Sequence, residues 1–139
     1  MRSENRLRYE DTPVRKVNLL LVDDNPQFLR AVRELTAGLP GVDRIECASS
    51  GADALARAGK ASFDLVLTDI QMPNMNGFEL IRGLRALTPS PRVAVMSVQA
   101  SPQHRAAALR MGAEDCMAKH ELGTLMPQLI ASMAEDFPS

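Results

Sequence analysis

Residues 65–80, LVLTDIQMPNMNGFEL, decide how the rest of the chain is read. Leu65, Val66, Leu67 and Thr68 make a short run without polar alternation, the pattern of a strand covered on both faces. Asp69 ends the run. Met72-Pro73 and Asn76-Gly77 follow at once, and Asn76 with Glu79 three residues on supplies a helix start. The stretch therefore reads as strand, turn and helix, with a carboxylate left at the carboxyl end of the strand. Aspartate is common where strands end, so Asp69 could be a turn-former. Alternatively the strand aims a reactive carboxylate into a crevice. The other strand ends have to decide between the two.

The same unit recurs along the chain. KVNLLLV (16–22) is a first strand, and Asn25-Pro26 gives a helix cap with a first-turn proline. Phe28, Val32, Leu35 and Leu39 follow at helical spacing until Pro40-Gly41. DRIECA (43–48) is a short second strand, and Ser50 with Asp53 opens an alanine-rich helix ending near Gly59. The third strand is FDLVLTD (63–69), and its helix carries Phe78, Ile81, Leu84 and Leu87. RVAVMSV (92–98) is the fourth strand. Ser101-Pro102 starts a helix running to Met111-Gly112, and DCMAK (115–119) is the fifth strand. Thr124 as N-cap would put Pro127 in the first turn of the last helix, where backbone N–H groups lack partners anyway. Leu125, Met126, Leu129, Ile130 and Met133 would then form its apolar face.

Five strands alternating with five helices and short connections predict an α/β fold, a doubly wound parallel sheet. Residues 16–135 form that domain, residues 1–15 a polar mobile extension, and residues 136–139 a tail. Sixteen basic against seventeen acidic residues, net charge −1, leave no global field for nucleic acid. No apolar run approaches a membrane span and no secretory leader is visible, so a cytoplasmic protein is expected. Cys47 and Cys116 form no CxxC motif and are read as reduced thiols.

In such a sheet the ligand crevice lies at the carboxyl ends of the strands. There the first strand ends in Asp23-Asp24, the third in Asp69, the fourth in Ser97 and the fifth in Lys119. Each has an ordinary reading alone: an acid pair before Asn-Pro caps a helix, and a lysine at a strand end is solvated. Together they conflict electrostatically. Two carboxylates ~4 Å apart repel by roughly 4 kcal/mol at an effective dielectric near 20. Three in one crevice need cations. Lys119 supplies one charge, and a hard divalent ion such as Mg2+, which favours a few carboxylates plus waters and a phosphate, would supply the rest. With phosphoryl charge so neutralised, Asp69 can act as a nucleophile and form an aspartyl phosphate.

These motifs resemble a family. LLLVDDNP, DLVLTDIQMPNMNGFEL, Ser97 after VAVM, and Lys119 after GAEDCMA are similar to the bacterial two-component response-regulator receiver domain, over about residues 16–134. The resemblance implies a flavodoxin-like (βα)5 sheet of order 2-1-3-4-5. It implies Asp23 and Asp24 as metal-binding acids, with Asp69 and the Gln71 backbone carbonyl as further Mg2+ ligands. Asp69 becomes the phosphorylation site, Ser97 the switch hydroxyl and Lys119 the phosphate-binding lysine. The implied donor is a sensor histidine kinase or a phosphotransfer protein. The switched face, formed by the fourth helix, fifth strand and fifth helix, would control a downstream protein partner or form a homodimer. The domain itself would be a phosphoacceptor rather than an enzyme.

Three positions depart from the family pattern. Cys116 stands where a Tyr or Phe usually swings behind the switch hydroxyl, so output should depend more on the fourth helix and its loop; a small buried filler is the plainer role for a thiol there. Val98 replaces a smaller residue and would narrow access to Asp69. His120 replaces a common proline, a feature seen in receivers attached to helix-turn-helix output domains. Such a longer DNA-binding regulator is one alternative, and a degenerate receiver that binds partners without phosphorylation is another. A metal-dependent phosphatase would want a second acid two residues after Asp69, where Gln71 stands. Cys47 and Cys116 should lie on opposite sheet edges, too far apart for a disulfide.

Overall fold

A computed structural model describes residues 16–136. The expected extension over residues 1–15, and all but the first residue of the expected tail, lie outside the described residues. The order is β1 (Val17–Val22), α1 (Pro26–Ala37), β2 (Val42–Ala48), α2 (Gly51–Lys60), β3 (Leu65–Asp69), α3 (Gly77–Arg85), β4 (Arg92–Ser97), α4 (Pro102–Arg110), β5 (Cys116–Ala118), a 3-10 turn (Lys119–Glu121) and α5 (Leu122–Asp136). The strands form one sheet in the order β2-β1-β3-β4-β5, and every pairing is parallel. That is the flavodoxin-like arrangement the motifs implied.

Side-chain alternation divides the core between the two faces of the sheet. Leu19, Leu21, Leu65, Leu67, Ala94, Met96 and Met117 pack with Leu29 and Val32 of α1 and Met126, Ile130 and Met133 of α5. Leu20, Val22, Val66, Val93, Val95 and Cys116 face α2, α3 and α4. All five residues of β3 are buried, which is why its sequence lacks polar alternation. The helix starts are fixed by the predicted caps. Asn25 accepts from Gln27 and Phe28 N–H, Ser50 from Asp53 N–H, and Ser101 from His104 N–H. Asn76 and Glu79 form a reciprocal capping box. Asp53 does not complete a box of its own; its carboxylate turns to Arg57 at 3.2 Å.

The last helix departs from its expected start. Leu122 is buried with Met126, Ile130 and Met133, so the apolar stripe begins one turn before Met126 and the helix starts ahead of Thr124. The 3-10 turn after β5 feeds directly into that extra turn. Pro127 consequently lies inside α5, where it removes the bond its N–H would give to the Gly123 carbonyl. Gly123 is exposed, so water can serve that oxygen. At the other end of the chain, α1 stops at Ala37 because the Gly38 N–H turns back to the Thr36 carbonyl, leaving Leu39 beyond the helix. Cys47 on β2 and Cys116 on β5 occupy the two sheet edges and both are free thiols.

Candidate functional site

Strand register brings the predicted residues to one rim. Val22 pairs with Thr68, which sets Asp23 level with Asp69. Asp69 pairs with Met96 and Met96 with Met117, so Lys119 starts two residues beyond that level and its long side chain reaches back. The alternation that points Leu21, Leu67 and Met117 toward α1 and α5 continues one step to Asp23, Asp69 and Lys119. Parity therefore delivers two acids and an amine to the same side of the rim.

Lys119 Nζ donates to Asp23 Oδ2 at 2.7 Å and to Asp69 Oδ2 at 3.2 Å. Asp23 is wholly buried, and its Oδ1 accepts from the Asn25 N–H at 2.9 Å. Asp69 is 7% exposed, and its Oδ1 accepts from the Gln71 N–H at 3.2 Å. Asp24 is exposed at the mouth, yet oxygens of Asp23, Asp24 and Asp69 lie within 4.8 Å of one another. Ser97 is buried at the end of β4, opposite Ala118. Val98 beside it exposes 71% of its surface.

Burial raises the Asp69 pKa above the usual carboxylate value, and the Asp23 charge adds to the effect against the Gln71 N–H and Lys119. Burial works against the Lys119 ammonium, but its hydrogen bond to Asp23 and the charges of both acids prevail and raise its pKa. The cluster is thus short of positive charge at Asp69. A cradle of hard carboxylate oxygens with one exposed member fits a hard divalent cation that keeps part of its water shell.

One participant was not legible as such. Phe28 read only as an apolar position of the first helix, but its ring lies under Lys119, with Nζ 4.3 Å from the centroid. Cys116 is fully buried in the core layer that includes Ala108 and Ala113, and burial raises its thiol pKa. It fills the core there.

The family model described as the response regulator receiver domain matches residues 19–130. The chain belongs to that family. Among curated relatives of this receiver, the nitrate/nitrite response regulator protein NarL of Escherichia coli K12 is 34% identical over 101 residues, covering 73% of this chain and 47% of the relative. The gliding motility regulatory protein of Myxococcus xanthus is 35% identical over 111 residues, 78% of this chain but 14% of the relative. This receiver therefore spans less than half the length of these two relatives. The solved signal receiver domain of the response regulator NarL from Mycobacterium tuberculosis superposes with a TM-score of 0.79 at 26% identity, covering 88% of this chain and 99% of that one. Among the described residues, no helix of this receiver is long and apolar enough to cross a membrane.

Proposed function

We propose that this receiver is a Mg2+-dependent phosphoacceptor that works in the cytoplasm. An Asp69 carboxylate oxygen attacks the phosphorus of a phosphohistidine on a sensor histidine kinase or phosphotransfer protein. The new O–P bond forms as the N–P bond breaks, and the imidazole leaves as the product. The observation that carries this reading is the Lys119 ammonium bridging Asp23 and Asp69 beside a third acid. A magnesium ion held by Asp23, Asp24, Asp69 and the Gln71 carbonyl would supply charge neutralisation at the phosphoryl oxygens. Lys119 leaves Asp69 Oδ2 to bind one phosphoryl oxygen, and Ser97 donates its hydroxyl to another. In the test, acetyl phosphate and Mg2+ should add one phosphoryl group to the intact mass, and Asp69→Asn should add none. An unmodified wild-type protein would overturn the reading.

Metal binding has its own expected signature. At free Mg2+ ten times its Kd, the native state should gain about 1.4 kcal/mol, a rise of several degrees in Tm. Asp24→Ala, at an exposed position, should leave the metal-free Tm nearly unchanged and abolish most of that rise. A full Mg2+ response in this variant would remove Asp24 from the ligand set.

Phosphorylation turns the single negative charge of Asp69 into a phosphoryl group of about −2, a net gain of about −1 at the rim that Ser97 shares. The element most free to respond is α4, which buries only Ala108 and is tied down by Arg105 to Asp115 at 2.7 Å and by Arg85 to the Met111 carbonyl. With a thiol at 116, the signal passes through residues 97–112 to the α4–β5–α5 face, where a protein partner or a second copy binds. A phosphoryl mimic that left the 97–112 segment unmoved would refute this route. The short span of the chain on NarL favours a second reading for output, in which an effector domain outside this sequence receives the signal.

A further inference from the structure

Lys119 has three N–H donors and, among the described residues, two carboxylate oxygens within hydrogen-bond reach, Asp23 Oδ2 and Asp69 Oδ2. Its side chain is nonetheless only 16% exposed. The Phe28 ring lies at 4.3 Å from Nζ and supplies a further contact. Phe28 is itself half-buried against the layer shared by α1 and α5.

The ring's position is specified by the site. Asp23 Oδ2 accepts from Lys119, while Asp23 Oδ1 accepts from the Asn25 N–H at 2.9 Å. Asn25 Oδ1 accepts in turn from the Phe28 N–H at 3.2 Å, which fixes the first turn of α1. The circuit from Asp23 through Asn25 and Phe28 to Lys119 closes back on Asp23. One carboxylate therefore locates both the ammonium and the ring.

We propose that Phe28 is the positioning residue for Lys119, its ring face holding the ammonium over Asp23 and Asp69 and keeping water from it. The inference rests on the phosphoacceptor reading, and it adds a residue outside the metal and phosphoryl ligands. During transfer the ammonium must exchange Asp69 Oδ2 for a phosphoryl oxygen. An aromatic face is a weak, non-directional partner that lets Nζ turn between anions without admitting solvent. A hydrogen-bonding neighbour would have to be broken at each exchange.

The experiment replaces Phe28 with leucine, with tyrosine, and with mono-, di- and trifluorinated phenylalanine, which weaken the ring's negative face at nearly constant shape. Initial phosphorylation by acetyl phosphate and Mg2+, Tm, and the 15N resonance of the Lys119 ammonium are measured for each. The rate should fall stepwise along the fluorinated series. Phe28→Leu should be about two- to thirtyfold slower, the span of a cation–π contact at exposed to desolvated sites. Phe28→Tyr should restore the rate, and Tm should move little across the fluorinated series. The ammonium resonance should be sharp in the wild-type protein and broadened by water exchange in Phe28→Leu. A flat rate along the fluorinated series, or an unchanged resonance in Phe28→Leu, would overturn the proposal. A wild-type protein that takes no phosphoryl group would instead overturn the acceptor reading, while the resonance would still decide whether the ring holds the ammonium.

Discussion

Gly77→Ala is expected to lower stability by about 3 kcal/mol and to slow phosphorylation of Asp69 by roughly a hundredfold. Gly77 is the first residue of α3, and its N–H donates to the Ile70 carbonyl at 2.7 Å. A Cβ there would sit 2.5 Å from the Asp69 carbonyl oxygen and 2.9 Å from the Ile70 Cα. Both are backbone atoms, so no rotamer change relieves the overlap. Nor can β3 retreat easily, because it pairs with β1 on one side and β4 on the other. Alanine's higher helix propensity, worth at most about 1 kcal/mol in a helix interior, cannot offset an overlap of this size. The strain must displace either α3 or the Asp69–Ile70 peptide that carries the acceptor. Urea unfolding with an unchanged m-value, together with acetyl phosphate labelling, tests both halves. A variant with wild-type stability and labelling would show that the β3–α3 connection is not held as tightly as this contact implies.

That contact also marks the boundary of what sequence reading could reach. Asn76-Gly77 was legible as a helix start, because cap chemistry is local and depends on residues three apart. The close approach of Gly77 to Asp69 is a tertiary fact, invisible in the spacing. The strand ends were legible for a different reason. A parallel sheet buried on both faces writes itself as unbroken apolar runs, and the residue ending each run must lie at one rim. Asp23, Asp69 and Lys119 could therefore be grouped although 96 residues separate the first from the last. The start of α5 was misplaced because a proline inside a helix is usually a boundary. Burial of Leu122 outweighed one backbone hydrogen bond whose orphaned carbonyl lies at an exposed glycine. Phe28 shows the remaining gap. Helical periodicity says that a position faces the core, but not that its ring will meet an ammonium from the far side of the chain.

Lys119→Met should weaken the metal-free fold at pH 7 by about 3–5 kcal/mol, the usual consequence of removing one partner from a buried ion pair. Asp23 is wholly buried and, among the described residues, would keep the Asn25 N–H on Oδ1 while Oδ2 loses its Lys119 donor. Asp69, whose pKa is already raised by burial, would lose its nearest cation as well. The loss has a ceiling, since Asp69, its pKa already raised by burial, can escape by taking up a proton. At pH 7 protonating an aspartate costs about 4 kcal/mol, and the cost falls by 1.36 kcal/mol for each pH unit lower. The gap between variant and wild type should therefore shrink steadily toward pH 5. The sign at the alkaline end follows from Lys119 itself. Its folded pKa is raised, so its contribution is complete below the unfolded value of about 10.4 and is lost as pH rises through the folded pKa. Magnesium should narrow the gap at pH 7, because a dication among the same acids restores part of the missing charge, while phosphorylation stays impaired without the ammonium. Denaturant unfolding of both proteins from pH 5 to about pH 11, with and without Mg2+, measures all of this. A gap independent of pH and metal would mean that the acid cluster does not need the charge of Lys119.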